Sequence, residues 1–436
     1  MGYLQPAILL AVAAAAVQFV APYITRSYIL FTPPANAVYA RFDSLIANAV
    51  ADGQCQKHHP ELLKGCEDMH FDAGIMYAAC VSDFQMRRKW IPGLGQRYLE
   101  QERSQNGGQV GQSGLMIDKM VKWNVETDEA VELELRGFPN NVDFALHGFD
   151  INVLSPSNIT FYIINHRPFG SVVEKFWHTP GEDHLNFIKT IHIPFSSAGG
   201  APTPNDIFAI PESDHKSGFF VTNDHRFKEG ILRKVEDVAR LPLGHISYYD
   251  DEGSWKIVAK NIIQANGITG TKKMASAENS HPPPSNNLYV SSCGGGFIRV
   301  FSRNYGSSEI YPVQDIVLDS LPDNPSLSYP SQSKFLIAGF PEPAILHDYV
   351  VKPAGEGPER SPVAIYSFRT NQIGSSFYGE GYTGEVPVET VFADRKGLLG
   401  NATSISLLVE GEEGLKGDLY MSGLMTDGIM RCRKFM

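Results

Sequence analysis

Beyond about residue 60, the chain alternates short apolar runs with turn-forming residues. The runs are rich in Val, Ile, Phe and Tyr and are bounded by Gly, Pro, Asn or Asp, a pattern typical of β-strands. No long stretch of helical periodicity competes with them downstream of the N-terminal segment. The predicted strands are 74–81, 158–165, 187–193, 206–210, 218–222, 246–249, 255–259, 287–291, 297–302, 334–338, 363–368 and 418–422.

So many short strands in one chain favour an all-β propeller or a large β-sandwich. Residues 287–302, N-L-Y-V-S-S-C-G-G-G-F-I-R-V-F-S, predict an antiparallel hairpin joined by a glycine turn. The sequence contains no repeated signature of the W-D type, so a repeat does not give the number of blades. A short helix is expected at 37–51. Segments 101–114 and 272–287 have the composition of surface insertions.

The N-terminus is apolar from Tyr3 to about Ile24. This length is enough to span a bilayer, which takes about 20 residues, and it equally fits the apolar core of a secretory signal. A buried helix of the domain is a third option. We therefore assign residues 1–27 to a signal peptide or membrane anchor and 28–436 to the all-β domain. Either of the first two options takes the chain into the secretory pathway, to an extracellular or membrane-associated location.

The composition, 43% hydrophobic and 19% charged, is that of a folded globular protein. The formal net charge is -11 and there is no dense Lys/Arg stripe, so nucleic acid is not an expected partner. Two glycosylation sequons, at Asn158 and Asn401, agree with a secretory route.

The five cysteines contain no C-x-x-C pair, which argues against a zinc ribbon. In an oxidising compartment, Cys55 and Cys432 can join the two ends of the fold. Cys66 and Cys80 either pair or remain free thiols, and the odd number leaves at least one cysteine unpaired within the chain.

Carboxylates and amides stand beside several of the short apolar runs. All are hard oxygen donors, and without a matching Cys/His set they suit calcium better than zinc. The alternative for each is a turn former, because Asn and Asp readily adopt left-handed and capping conformations. The candidate metal ligands are Glu67, Asp68, Asn223, Asp224, Asn266, Asp323 and Asn324.

Two histidines, His147 in A-L-H-G-F and His166 in I-I-N-H-R-P, are candidates for acid–base chemistry. One histidine near a metal can accept a proton from water while the second orients it. No G-x-S-x-G nucleophile motif is present in the sequence. The alternative is a structural, hydrogen-bonded histidine at the end of a strand.

From about residue 55 to the C-terminus, the order of several segments resembles the serum paraoxonase/arylesterase family. The combination of T-N-D-H-x-F with A-N-G-I is fairly specific. The matching segments are A-L-H-G-F-D-I, I-I-N-H, P-N-D-I-F-A-I, F-F-V-T-N-D-H-R-F, S-Y-Y-D, A-N-G-I, D-N-P-S-L and G-D-L-Y-M-S-G.

The resemblance implies an all-β fold, a six-bladed β-propeller with two Ca²⁺ ions in its central channel, preceded by an N-terminal hydrophobic helix. The implied ligands of the catalytic calcium are Glu67, Asn223, Asn266, Asp323 and Asn324. Those of the deeper, structural calcium are Asp68, Asp224 and the backbone carbonyl of Phe149. His147 and His166 fall on the catalytic dyad, and Cys55 and Cys432 on the family disulfide.

The implied function is calcium-dependent hydrolysis of lactones and aryl esters, in which calcium polarises the carbonyl and the His dyad activates water. The implied partners are a small-molecule lactone or ester and a lipid surface reached through the N-terminal helix. One alternative is a calcium-stabilised propeller that binds ligands or partners without catalysis. Another is a gluconolactonase-like or strictosidine-synthase-like enzyme. Departures from the family at Phe340 and Gln264 bear on the pocket wall, so substrate identity does not carry over.

Overall fold

The computed structural model describes residues 36–98, 114–168, 170–210, 218–272, 286–304, 307–352, 355–373, 385–412 and 415–436. The N-terminal segment assigned to 1–27 lies outside the described residues, as does most of the two expected insertions. Within the described part of the chain, no helix has the length and apolar character needed to cross a bilayer.

Helix α1 confirms the helix expected at 37–51. Its buried residues Tyr39, Phe42, Ile46 and Ala49 recur at helical spacing and pack into the largest apolar cluster. The α-helices of the described residues are α1 Asn36–Ala51, α2 Phe84–Lys89, α3 Gly230–Val238 and α4 Pro343–Val351. Short 3₁₀ turns cover Pro92–Leu94, Ser196–Ala198 and Thr370–Gln372.

The described chain is mainly strand, and every predicted strand overlaps an observed one. In chain order the strands are β1 Cys55–His58, β2 Asp68–Asp72, β3 Ile75–Cys80, β4 Trp90–Ile91, β5 Gln96–Arg97, β6 Lys119–Asn124, β7 Glu129–Glu132, β8 Glu134–Arg136, β9 Leu146–Ser155, β10 Asn158–Asn165, β11 Val172–His178, β12 His184–His192, β13 Pro204–Ala209, β14 Gly218–Asn223, β15 Gly244–Asp250, β16 Trp255–Ile262, β17 Ala265–Gly270, β18 Asn287–Ser292, β19 Phe297–Arg303, β20 Ile310–Val317, β21 Leu321–Leu327, β22 Lys334–Phe340, β23 Val363–Arg369, β24 Glu389–Asp394, β25 Ile405–Val409, β26 Asp418–Ser422 and β27 Ile429–Cys432.

Antiparallel strands form three four-stranded sheets in the orders β2-β3-β6-β7, β13-β14-β15-β16 and β17-β18-β19-β20. A fourth antiparallel sheet, β9-β10-β11-β12, has β8 as a parallel edge strand beside β12. An eight-stranded sheet joins β21–β24 to β25-β26-β27-β1 through the parallel pair Asn324 with Ile405, and an isolated parallel bridge links Tyr329 with Val409 beside it. The innermost strands β2, β9, β13, β17, β21 and β25 contact one another in turn, and β25 contacts β2 again. This propeller-like arrangement encloses a space that we call the channel.

The first and last strands of the described chain close the arrangement. Strand β1 pairs with β27, with Cys55 opposite Cys432, and these two cysteines form the expected disulfide. Cys66 and Cys80, whose pairing the sequence left open, form a second disulfide. Cys293 is a buried free thiol.

The two sequons differ in their surroundings. Asn158 is the exposed first residue of β10. The Asn401 amide donates to Tyr349 Oη at 2.8 Å and accepts from the backbone N–H of Ser361 at 2.8 Å, so a glycan on Nδ2 would crowd the contact with Tyr349. Glycosylation stays a prediction, and the structure favours Asn158 over Asn401 as its site.

Candidate active site

The two candidate catalytic histidines lie side by side. Strand β9 begins at Leu146, and its partner in antiparallel β10 is Asn165, the last residue of that strand. His147 and His166 are each one residue away from this pair, so both lie at the same end of the sheet. His147 Nδ1 lies 2.7 Å from His166 Nε2. His166 Nδ1 in turn lies 2.8 Å from Ser171 Oγ.

Buried hydrogen bonds hold the backbone on both sides of this pair. The Trp90 indole donates to the carbonyl of His166 at 2.6 Å. The Arg87 guanidinium donates to the carbonyl of Leu146 at 3.1 Å, and the N–H of Leu146 donates to Asp118 at 2.9 Å. Arg87 and Asp118 also form a buried ion pair. The dyad therefore stands on a backbone fixed by buried polar groups, which limits its movement.

Burial lowers the pKa of His166 well below its usual value, and the neighbouring His147 adds to that shift. A neutral His166 has one ring nitrogen that accepts a hydrogen bond. When Ser171 accepts from Nδ1–H, His166 Nε2 accepts from His147 Nδ1–H. This arrangement leaves a lone pair on His147 Nε2, which lies 3.6 Å from Glu67 Oε1.

Four of the five ligands expected for the catalytic calcium belong to the innermost strands or immediately precede one. Glu67 precedes β2, Asn266 lies on β17, and Asp323 and Asn324 lie on β21. Asn324 Nδ2 donates to Glu67 Oε1 at 2.7 Å, and the Asn266 side chain donates to Asp323. The structure thus brings these residues together around the channel.

The fifth expected ligand, Asn223, does not join this group. It ends β14, one strand further out than the channel-lining β13. Its Oδ1 accepts from the N–H and hydroxyl of Thr203 at 2.8 and 3.0 Å, and its Nδ2 donates to the carbonyl of His225 at 2.7 Å. Both ends of the amide are occupied by local contacts, so the structure does not support Asn223 as a metal ligand.

Asp224, expected at the deeper ion, also lies outside the group of oxygens. Its Oδ1 is 3.2 Å from His225 Nδ1, and His225 Nε2 is 2.6 Å from Asp237. Gly93 lies between Asp224 and the dyad, because a β-carbon on Gly93 would be 3.8 Å from Asp224 Oδ2 and 3.6 Å from His147 Cε1. The Asp224 carboxylate therefore lies near the dyad.

Asn205 and Asp206, rather than Asn223 and Asp224, stand on an innermost strand, β13. The register between β13 and β14 shifts between Pro204 and Ile207, which leaves both residues outside the regular pairing. Asp206 Oδ2 accepts from the N–H of Ile268 on β17 at 2.7 Å. These contacts point Asp206 at the neighbouring innermost strand.

The same irregularity recurs on two other innermost strands. The register shifts at 204–207 in β13, at 265–268 in β17 and at 322–325 in β21. The residues inside these shifts read N-D, N-G and D-N in the sequence. A bulge re-aims side chains at the end of a strand, and here it does so for the oxygen donors. This recurring pair before Ile or Pro is the sequence signal that identifies Asn205 and Asp206.

Buried oxygens without a hydrogen-bond donor show that the set fits a cation. They are Glu67 Oε2, Asn205 Oδ1, Asn266 Oδ1 and Asn324 Oδ1. Leaving such atoms unpaired costs about 1–3 kcal/mol each. Together with Asp323, their residues supply two carboxylates and three neutral amide oxygens. Calcium takes about 6–8 oxygen ligands, so this set fits one Ca²⁺ with positions left over.

The carboxylates of the channel are buried and close to one another, which disfavours their ionised forms. Burial raises the pKa of Asp323 well above its usual value, and nearby Glu67 adds to the shift. Burial likewise raises the pKa of Asp206, with Asp68 adding to it. A cation among these groups would favour their ionised forms and offset the cost of burying them.

The deeper group, expected to hold a second calcium, is already contacted by a histidine. His70 Nε2 donates to the carbonyl of Phe149 at 2.7 Å and lies 3.5 Å from Asp68 Oδ2, while its Nδ1 lies 3.4 Å from Asp150 Oδ1. Although burial opposes its charge, Asp68 and Asp150 raise the pKa of His70. An imidazole on the expected carbonyl ligand leaves these residues a poor fit to a second ion.

A cavity opens at the opposite end of the channel from the dyad. It is lined by later residues of the innermost strands, among them Val153, Gly270 and Leu327, and it reaches Asp206. Lys272 Nζ donates to Asp150 Oδ2 at 2.5 Å beside it. Neither catalytic histidine lines this cavity. His166 lines a smaller one, together with Pro92, Gly93 and Ser171.

The chain matches the family described as Arylesterase over residues 108–357. It is 29% identical over 224 residues to Serum paraoxonase/arylesterase 2 of Bos taurus, a match that covers 51% of this chain and 56% of that protein. It is 26% identical over 232 residues to Serum paraoxonase/lactonase 3 of Homo sapiens, covering 53% and 58%. The match thus spans little more than half the length of these curated relatives.

Among solved structures, the chain is similar to a luciferin-regenerating enzyme, with 11% identity and a TM-score of 0.46, covering 86% of this chain and 94% of that one. It is also similar to a putative gluconolactonase, with 11% identity and a TM-score of 0.41, covering 87% and 91%.

Proposed function

The chain belongs to the arylesterase family, and from that premise we propose that it is a calcium-dependent hydrolase of lactones and aryl esters. One observation carries the proposal. A histidine pair and a set of buried oxygens without hydrogen-bond donors stand together at one end of the innermost strands. A propeller that served only as a binding module would not need a hydrogen-bonded histidine pair facing Glu67.

We propose that the fold is a six-bladed β-propeller and that residues 28–436 form this one domain. The count treats the eight-stranded sheet as two blades, β21–β24 and β25-β26-β27-β1, that are bridged only at Asn324–Ile405 and Tyr329–Val409. The contacts between successive innermost strands support it. A last blade completed by β1 also explains why Cys55 is bonded to Cys432.

The residues that would hold calcium are Glu67, Asn205, Asn266, Asp323 and Asn324. When bound, the ion would polarise the substrate carbonyl and stabilise negative charge on its oxygen. We propose one ion at these residues. The second ion implied by the resemblance would need the Phe149 carbonyl, which His70 contacts.

The histidine pair supplies the base. His147 Nε2 accepts the proton of the attacking water, and its Nδ1–H stays bonded to His166 Nε2. The positive charge that forms on His147 lies 3.6 Å from the Glu67 carboxylate, which stabilises it. His166 fixes the ring orientation and the tautomer, and Ser171 fixes His166.

Two disulfides support an oxidising compartment. We propose that the protein enters the secretory pathway and works outside the cell or at a membrane surface, with residues 1–27 as signal peptide or anchor. The proposed partner is a small lactone or ester. The small cavity beside Gly93 and His166 lies next to the dyad and would have to widen to admit this substrate.

The test is hydrolysis of several aliphatic lactones and phenyl acetate by the purified protein, first with calcium and then with excess EDTA. Activity that disappears on chelation and returns with calcium but not magnesium supports the proposal. Calcium binding at the channel donors without turnover of any substrate would instead favour a binding propeller.

A further inference from the structure

Two consecutive histidines and an aspartate form a cluster outside the channel. His58 Nδ1 lies 2.8 Å and His59 Nε2 3.3 Å from Asp128 Oδ1. One potential ligand atom from each of the three residues lies within 4.8 Å of the others. The cluster is partly open to solvent, since the side chains of His59 and Asp128 are 29% and 52% exposed.

The cluster joins the two ends of the β-sheet ring. His58 is the last residue of β1, which pairs with β27, whereas Asp128 lies in the turn between β6 and β7 of the first sheet. Buried Trp123 on β6 backs the cluster: its indole donates to Asp128 Oδ1 at 3.0 Å, and its ring centroid lies 4.8 Å from that of His58. Two of the three groups therefore rest on fixed partners.

We propose that His58, His59 and Asp128 bind a divalent transition metal of the zinc class, which fastens the closing strand β1 to the first sheet. Zinc bonds to imidazole and carboxylate are about 2.0–2.2 Å, so tetrahedral ligands stand ~3.3 Å apart. The two nitrogen–oxygen distances, 2.8 and 3.3 Å, are close to that spacing. Two imidazoles and one carboxylate leave the fourth position to water, on the side where His59 is exposed.

Zinc competes with protons for the imidazole nitrogens. The hydrogen bonds between each imidazole and Asp128 depend on an N–H at the facing nitrogen, so a neutral imidazole must move that proton to its other ring nitrogen to bind zinc, whereas a protonated imidazole must release a proton. Zinc binding therefore strengthens as the pH rises through the range in which the histidines lose their charge. The site also differs in chemistry from the proposed calcium site, because imidazole suits zinc, nickel and copper, whereas the proposed calcium ligands are all oxygens.

The experiment uses the full chain saturated with calcium, so that the channel donors are occupied, and titrates it with zinc chloride by calorimetry. We expect one zinc ion per chain and a rise in melting temperature with zinc. His59→Gln and Asp128→Asn should each weaken zinc binding more than tenfold. The matched control is His347→Gln, because His347 is 62% exposed and also lies beside an aspartate, Asp348, at 3.5 Å.

His59→Gln changes a partly exposed side chain, and the asparagine of Asp128→Asn can still accept from Trp123, so both variants should fold. Their melting temperatures without zinc provide the check. Wild-type protein that binds no zinc, or the same zinc affinity in wild type and both variants, would overturn the proposal. The readout is metal binding, so it is independent of whether the protein hydrolyses lactones.

Discussion

The carboxylate of Asp206 occupies the space in which Gly148 would otherwise carry a β-carbon. Gly148 lies on β9 and Asp206 on β13, so the two innermost strands approach each other more closely than side chains would allow. Gly267 on β17 has the same relationship with Asn324 on β21, whose Cα lies 2.6 Å from the position of the missing β-carbon. Glycines on the innermost strands thus let neighbouring oxygen donors converge on one axis.

Gly148→Ala should therefore disturb the channel. The added methyl meets Asp206 Oδ1 and the Asn205 backbone, so we expect a loss of about 1–3 kcal/mol in the free energy of unfolding and weaker calcium binding. Urea unfolding and calcium titration measure the two effects. Gly170→Ala is the control, because a β-carbon there has no neighbour within 4 Å and should change neither quantity. Equal behaviour of the two variants would contradict the close approach.

Short apolar runs predicted the strand-rich fold and many of the outer strands, although not β6, β7, β11, β20 or β24. Of the innermost strands they predicted only β13. Strand β21 reads L-P-D-N-P-S-L, and two prolines with three polar residues hide its strand character. Strand β9 carries His147, Gly148 and Asp150 among its apolar residues. The functional side chains that line the channel interrupt the apolar pattern, so a reading based on apolar runs fails near the site.

The candidate site was predictable in part. The histidine pair and four of the oxygen donors came from the family resemblance, and the structure brings them together. The resemblance was applied to Asn223 and Asp224 in T-N-D-H, and Asn205 and Asp206 in P-N-D-I were not considered, although both are Asn–Asp pairs beside an apolar run. Only strand order separates them: β13 is innermost, whereas Asn223 ends β14.

Two asparagine variants should separate these positions. Asn205→Ala removes a buried oxygen that has no hydrogen-bond donor, so we expect calcium affinity to fall more than tenfold with little loss of stability. Asn223→Ala breaks bonds to Thr203 and His225, so we expect a loss of about 1–3 kcal/mol in stability and nearly unchanged calcium affinity. Calcium titration and urea unfolding test both variants. Loss of calcium affinity in Asn223→Ala alone would restore the original assignment.

Replacing His147 should lower turnover more than replacing His166. His147→Gln removes the base, and we expect kcat for a lactone to fall by about 10²–10⁴-fold with calcium still bound. His166→Gln leaves an amide beside His147 but changes the orientation and the tautomer of the His147 ring. Because His147 remains, we expect a smaller fall in kcat and an altered pH–rate profile. Exposed His192→Gln is the control. Unchanged kcat in His147→Gln would remove it from the role of base.

Removing the closing disulfide should cost more than removing the local one. Cys55 and Cys432 are 377 positions apart, whereas Cys66 and Cys80 are 14 apart. In the chain-entropy model a 15-residue loop contributes about 3 kcal/mol and a 100-residue loop about 4.7 kcal/mol. We expect Cys55→Ser with Cys432→Ser to lower the free energy of unfolding more than Cys66→Ser with Cys80→Ser. Equal losses in chemical unfolding would show that strain or residual structure outweighs loop length.

His178 gives the protein an acid-sensitive contribution to stability. It is fully buried at the end of β11, its Nδ1 donates to the carbonyl of His184 at 2.9 Å, and its Nε2 has no hydrogen-bond partner. Burial lowers its pKa below the ordinary value of 6.5. Because the unfolded chain binds the proton more tightly, this contribution is complete above pH 6.5 and is lost as the pH falls from 6.5 through the folded-state pKa.

His178→Gln should therefore flatten the dependence of stability on pH. We expect the difference in unfolding free energy between wild type and this variant to shrink as the pH falls from 7 to 5, whereas the difference for exposed His192→Gln stays constant. All three proteins share the acid sensitivity of calcium binding, so this effect cancels when their free energies of unfolding are subtracted. Urea unfolding at pH 7, 6 and 5 measures these differences. A gap between wild type and His178→Gln that is the same at every pH would mean that His178 does not titrate differently in the folded and unfolded chains.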